Sequence, residues 1–170
     1  MNLLFTGASG FLGYNVLPLL KKKYSVETIG LTSQDDYIVN LAAEIPKLAG
    51  KYDVILHVAG KAHSLPKTEA EKRLFFDVNL QGTKNLCTAL EQSGIPKSFI
   101  FISTVAVYGC DSGENITEEY PLNGTTPYAL SKIKAEKYQE EWCAMHNVKL
   151  SILRPSLIAG PNPPGNLGAM

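Results

Sequence analysis

The run Thr6-Gly7-Ala8-Ser9-Gly10-Phe11-Leu12-Gly13 constrains this chain more than any other feature. Before it, Asn2 to Thr6 reads as a strand. After it, Gly10 to Lys23 reads as a helix with Leu12, Val16, Leu19 and Leu20 on one face. A strand that turns through glycines into a helix can cradle phosphate. The first glycine permits the tight turn and the second lets backbone amides approach a pyrophosphate. The third lets helix pack closely on strand, and the helix N-terminus supplies partial positive charge. The spacing is GxxGxxG, and its force comes from the strand–turn–helix context. Gly7, Ser9, Gly10, Phe11, Leu12 and Gly13 are therefore candidate cofactor-binding residues.

The remaining pattern alternates short apolar runs with helical ones. Strands are predicted over 26–31, 37–41, 53–58, 98–103 and 149–154, and helices over 66–76, 79–93 and 127–146. Pro18 removes a hydrogen bond from the first helix and predicts a kink or an early stop. Gly94 is a natural stop for the helix that ends at 93. Near-continuous apolar strands separated by helices predict an α/β fold. That fold is a doubly wound parallel sheet of about six strands, with helices on both faces. Residues 1–160 read as one dinucleotide-binding domain. Gly160 to Gly165 read as a loop.

Bulk properties narrow the function. Sixteen Lys and Arg balance sixteen Asp and Glu, so there is no electrostatic footprint for nucleic acid or an anionic membrane. No apolar run approaches the roughly 20 residues that span a bilayer. The glycine motif stands so near Met1 that a signal peptide is not expected. Cys87, Cys110 and Cys143 form no CxxC pair and read as reduced thiols of a cytoplasmic protein, with no metal site.

A second constellation carries chemistry. Tyr128 and Lys132 stand four apart at the start of a predicted helix and share a face. Hydride transfer at a carbinol carbon needs a group that takes or gives the hydroxyl proton. A free tyrosine has a pKa of about 10, so roughly one in a thousand is ionised at pH 7. A neighbouring ammonium favours the phenolate. Ser103-Thr104, at the carboxyl end of a strand, can hold the substrate oxygen, because ligands of open α/β sheets bind at that end. The acidic residue expected after the second strand is missing from Gly30-Leu31-Thr32-Ser33, and no arginine replaces it. NAD and NADP both stay open, with NAD preferred. Asp35 and Asp36 read as solvated loop residues, a ribose contact being the alternative. His63 reads as an ordinary loop histidine.

Together these residues resemble the extended short-chain dehydrogenase/reductases, the Rossmann-type enzymes that remodel nucleotide-linked sugars. The resemblance rests on the glycine turn and on His57-Val58-Ala59-Gly60. It extends to Val78-Asn79-Leu80-Gln81-Gly82-Thr83, Phe101 to Gly109, Tyr128 to Lys132, and Arg154-Pro155 through Gly160-Pro161. It implies Tyr128 as catalytic acid/base, Lys132 as its pKa-lowering and ribose-binding partner, and Thr104 as the catalytic hydroxyl with Ser103 second. It implies that Ala59 and Gly60 line the cofactor, that Pro155 to Ile158 pass the nicotinamide, and that residues 161–170 are the start of a truncated C-terminal substrate region. Asn40-Leu41 stands where the family often has Asp-Leu near the adenine. His57 and Asn79 are open between structure and site, and Tyr108 and Arg154 read as structural. A homodimer through the helices at 79–93 and 127–146 is also implied, with Trp142 and Met145 either at that interface or in the core.

Thr104 is followed by Val105-Ala106, which lacks the Asp-Glu pair that dehydratases of this resemblance use, so dehydration is disfavoured. Epimerisation of a UDP- or dTDP-linked sugar is the preferred reading, to which Gly60-Lys61-Ala62-His63 and Pro164-Gly165-Asn166-Leu167 add similarity. Reduction of a 4-keto sugar nucleotide is the alternative. A non-catalytic dinucleotide sensor or inactive fragment is a further one, against which the Tyr128–Lys132 pair speaks.

Overall fold

The computed structural model describes residues 1–62, 65–110 and 112–161. His63, Pro164 to Leu167 and nearly all of the segment 161–170 lie outside these residues. Among them, one parallel sheet is built from β1 (Asn2–Thr6), β2 (Ser25–Gly30), β3 (Tyr37–Ile38), β4 (Val54–His57), β5 (Ser98–Ile102) and β6 (Lys149–Leu153). The spatial order is β3-β2-β1-β4-β5-β6. Strand progression reverses between β1 and β4, which creates a crevice at their carboxyl ends where such sheets take ligands. The register pairs Thr6 with both Ile29 and His57, so Gly7 emerges between Gly30 and Val58.

Side-chain alternation divides the sheet into two unlike faces. Leu4, Ile55, Phe99 and Phe101 are buried on one face with Leu86, Cys87 and Leu90 of α3 (Gly82–Ser93) and Ala135, Trp142 and Cys143 of α4 (Pro127–His146). The crossover from β1 to β2 runs opposite to that from β4 to β5. Right-handed connections therefore put α1 (Phe11–Lys21) on the other face, with Leu3 and Phe5. The α/β, doubly wound parallel architecture read from the sequence is the architecture found.

Several boundaries differ from expectation. The first helix runs through Pro18 and closes at Lys21. β3 is only two residues long, because Asn40 opens a turn: its Oδ1 accepts from the Ala42 N–H at 3.1 Å. The predicted helix over 66–76 begins as α2 (Glu69–Phe76) only after Thr68, whose side chain and that of Glu71 form a reciprocal capping box. The expected break after 76 is absent. A π-helical turn, Asp77–Gln81, joins α2 directly to α3 and turns Asn79 inward. Gly94 ends α3 at φ 138°, as predicted. Trp142 is core and Met145 is exposed. No described helix is long and apolar enough to cross a membrane.

Candidate active site

The glycine turn separates into glycines that the protein needs and one that it does not. Gly7 has φ 80°, and a Cβ there would lie 2.6 Å from the Ala59 nitrogen. A Cβ on Gly13 would lie 2.3 Å from the Gly7 carbonyl oxygen. Both are demanded by backbone-on-backbone packing. Gly10 has φ −77° and would meet only the Gly7 carbonyl oxygen, at 3.4 Å. Nothing in the chain itself requires glycine there. Gly10 and Ser9 are exposed, Gly10 is the N-cap of α1 without a side-chain cap, and the first turn of α1 has no acidic residue. The Gly10 N–H turns back to the Gly7 carbonyl at 3.2 Å, and the result is an uncompensated helix N-terminus at Phe11 and Leu12, suited to an anion.

Hydrogen bonds tie this turn to the loop after β4. The Ala59 N–H donates to Thr6 Oγ1 at 3.1 Å, and that hydroxyl meets His57 Nδ1 at 2.6 Å. His57 Nε2 meets Thr83 Oγ1 at 3.0 Å, and the Thr83 hydroxyl donates to the Asn79 carbonyl at 2.7 Å. The Thr83 proton is thus committed, so His57 carries its own proton on Nε2 and accepts from Thr6 on Nδ1. Burial, aided by the Lys132 charge, pushes the His57 pKa down to about 3 and keeps the ring neutral. His57 is a structural link. The Asn79 side chain clamps Lys61 at both backbone atoms (2.7 and 3.1 Å) and donates to Ser131 at 2.9 Å. It thereby joins the loop 59–61 to the first turns of α4.

Those turns carry Tyr128 and Lys132. Thr126 caps α4, accepting from the Ala129 N–H, and Pro127 pre-sets its first turn. Tyr128 is partly buried. Burial raises its pKa above the ordinary phenol value, and the Thr104 hydroxyl, a hydrogen-bonding neighbour, pulls the other way. The sequence predicts a phenol lowered by Lys132; here burial sets the direction and Thr104, not Lys132, opposes it. Lys132 is buried and donates to the Ile102 carbonyl at 2.8 Å. Burial pushes its pKa down to about 8, and the Glu136 carboxylate opposes that shift. A Cβ on Gly60 would lie 3.2 Å from Lys132 Nζ, which places the ammonium against the loop of Ala59 and Gly60. Thr104 stands two residues beyond β5 and caps a 3₁₀ turn, Val105–Tyr108, accepting from the Ala106 N–H at 3.2 Å. The Ser103 hydroxyl instead donates to Glu136.

Beyond β6 the chain turns back over the cleft. Pro155 accepts from the Val105 N–H at 3.2 Å. Gly160 lies against Phe11, and Pro161 accepts from Asn15 at 3.3 Å. Pro155 and Ile158, both partly buried, therefore lie on a segment running from Thr104 to the glycine turn. Asn40 is exposed, whereas the Leu41 side chain belongs to the core. Asp35 and Asp36 are not merely solvated. Asp36 accepts from the Thr28 N–H at 2.8 Å. Asp35 is buried, accepts from the Thr32 N–H and hydroxyl (3.1 and 2.7 Å), and packs its carboxylate on Gly30. An acid thus reaches the end of β2 from five residues downstream, which position-by-position reading of the strand misses.

The sequence reading also missed Glu136. It falls four residues after Lys132, on the same helical stripe as Tyr128, and pairs with Arg154. That spacing was the available signal.

A doubly wound sheet with a glycine turn at its switch point is the architecture of a Rossmann-type α/β protein. The chain belongs to the NAD-dependent epimerase/dehydratase family, whose model matches residues 3–169. It is 32% identical to the N-acetyl-alpha-D-glucosaminyl-diphospho-ditrans,octacis-undecaprenol 4-epimerase of Escherichia coli O157:H7, over 98% of this chain and 51% of that protein. It is 30% identical to the UDP-glucose 4-epimerase of Vibrio cholerae, over 99% of this chain and 55% of that protein. The structure of RMD from Pseudomonas aeruginosa complexed with NADPH superposes with a TM-score of 0.81 at 26% identity, over 97% of this chain and 56% of that one. The chain spans about half the length of the relatives it matches.

Proposed function

We propose that this chain binds NAD and performs the redox step of a nucleotide-sugar 4-epimerisation, by transient oxidation at a sugar carbinol. The observation that carries the reading is Gly10: a bare residue at an uncompensated helix N-terminus, with no packing reason of its own to be glycine. The residues present fit a dinucleotide. Gly7, Ser9, Gly10, Phe11, Leu12 and Gly13 would hold its pyrophosphate. Ala59, Gly60, Pro155 and Ile158 would line the remainder, with Asn40 and the Leu41 backbone at the adenine side. Bound NAD would supply the hydride acceptor and a positive charge beside Lys132.

The chain's own groups supply the proton chemistry. Tyr128 takes the carbinol proton and returns it. Thr104 holds the carbinol oxygen, a role Ser103 cannot share while its hydroxyl serves Glu136. Lys132 offsets charge on the phenolate and reaches towards the ribose. The raised pKa of Tyr128 is the resting state that a second positive charge must overcome. Val105 and Ala106 offer no carboxylate for eliminating water.

The Asp35 carboxylate at the edge of Gly30 favours NAD, since it would accept from a ribose 2′-hydroxyl and would repel a 2′-phosphate. A second reading, reduction of a 4-keto sugar nucleotide, draws on the NADPH held by the solved Pseudomonas neighbour. The same reading includes residues 1–160 as the cofactor-binding unit, a cytoplasmic setting and a homodimer through the outer faces of α3 and α4. Calorimetric titration tests the cofactor. NAD should bind at least tenfold tighter than NADP, and Asp35→Ala should erase most of that preference. Adding UDP-glucose should then give epimerised sugar that Tyr128→Phe abolishes with NAD affinity intact. Tighter NADP binding with turnover only of 4-keto sugars would favour the reductase, and cofactor binding without turnover would favour the sensor or an inactive fragment.

A further inference from the structure

The α4 stripe that carries Tyr128 and Lys132 continues to Glu136, one turn on and 1% exposed. Arg154 approaches this carboxylate with Nη2 at 2.7 Å from Oε2 and with Nε at 3.2 and 3.3 Å from the two oxygens. The Ser103 hydroxyl donates to Oε1. Arg154 is itself held, its Nη1 donating to the Tyr108 hydroxyl at 3.1 Å and to the Glu118 carbonyl at 2.8 Å. Lys132 is 4% exposed, and its ammonium has one hydrogen-bond acceptor, the Ile102 carbonyl, and the Phe101 ring 4.6 Å away. Neither neighbour carries a negative charge.

A buried ammonium without an anion gives up its proton. Among the described residues, the titratable groups around Lys132 are Tyr128 and Glu136 on its own helix, His57 on β4, and Arg154 beyond Glu136. Tyr128 and His57 are neutral at pH 7 and Arg154 is a cation. Glu136 is the only anion in that set. Its pairing with Arg154 is poor evidence of a stability device, because buried ion pairs often match apolar replacements. Its position one turn from Lys132 gives it a different use.

We propose that Glu136 is a positioning residue that keeps Lys132 charged, and that Arg154 and Ser103 hold its carboxylate fixed for that purpose. The catalytic consequence rests on the role proposed above for Lys132, whereas the ionisation of Lys132 does not. Loss of the Glu136 charge would leave buried Lys132 and partly buried Arg154 without that anion, and Lys132 is the one that can discharge. It would then neither offset a phenolate nor attract one.

The test follows the Lys132 side chain by NMR in lysine-labelled protein, with Lys132→Arg to assign its resonance. In Glu136→Gln the titration midpoint of Lys132 should fall by about one unit, a tenfold loss of proton affinity. In Arg154→Met it should rise, because the carboxylate then serves Lys132 alone. In Glu136→Asp it should stay near the wild-type value. Opposite signs in the first two variants separate charge from general disruption. An unchanged midpoint in Glu136→Gln overturns the proposal. If that variant does not fold, Arg154→Met decides, and a midpoint that falls or stays put there overturns it equally. Failure of the chain to bind NAD would remove the proposed function and leave this titration standing. Normal NAD binding with an unmoved midpoint would do the reverse.

Discussion

At the scale of single residues, the site is organised by hydrogen-bond direction. His57 shows this best. Each hydroxyl on either side of its ring has one proton to give, and both protons are assigned, so the ring must stay neutral. Its folded pKa, about 3, lies below its unfolded value of 6.5. Between these values the unfolded chain binds a proton that the folded chain refuses, so stability falls as pH drops from about 6.5 towards 3. From pH 6.5 to 5 this one group should cost about 2 kcal/mol. Urea denaturation at the two pH values should show that loss in the wild type, and His57→Gln should flatten it while starting from a lower stability at pH 7. A wild type as stable at pH 5 as at pH 6.5 would mean that the ring is charged or exposed.

At the scale of elements, the sequence was most legible where apolar period and glycine punctuation coincide. All six strands, the first helix and α4 follow from those signals, as does the end of α3 at Gly94. Pattern failed where a side chain overrides it. Asn40 stops β3 by starting a turn. Thr68 and Glu71 delay α2 to Glu69, though the Thr-x-x-Glu spacing was there to be read. Removing that cap by Thr68→Ala should destabilise the fold by about 1 kcal/mol, measured by urea unfolding, and a neutral result would show that the box adds nothing. The π-helical turn left no mark in periodicity, because it is set by tertiary contacts: Asn79 must reach Lys61 and Ser131 at once. The candidate site shows the same divide. Gly7 to Gly13, Thr104, Tyr128 and Lys132 were visible as motifs. Asp35 was legible only as the alternative to a solvated loop residue, and Glu136 was not legible, since each acts through space on a segment that sequence reading treats separately.

At the scale of the whole molecule, the two faces of the sheet are unequal. α3 and α4 bury the centre of one face, at Leu4, Ile55, Phe99 and Phe101, and leave Leu150 and Ile152 of β6 partly buried. On the other, Val54, Leu56, Ile100 and Ile102 remain only partly buried, and α1 buries only Gly13 fully. The cleft crosses the sheet at β1 and β4, so a bound dinucleotide would tie β1, β4 and the segment after β6 together. Ligand that binds only the folded state stabilises it by about 2.7 kcal/mol at one hundred times its dissociation constant. The melting temperature should therefore climb steadily with NAD concentration. A melting temperature that ignores NAD would mean that the cleft does not hold it.

The most direct test of the central claim compares two glycines by calorimetry and thermal melting. Gly10→Ala has room in the protein, so it should melt within a few degrees of the wild type while losing at least tenfold in NAD affinity. Gly13→Ala should instead fail to fold stably, because its Cβ falls on the Gly7 carbonyl. Undiminished NAD binding by a well-folded Gly10→Ala would contradict the account, since the bare residue at the helix N-terminus would then have nothing to do with the cofactor.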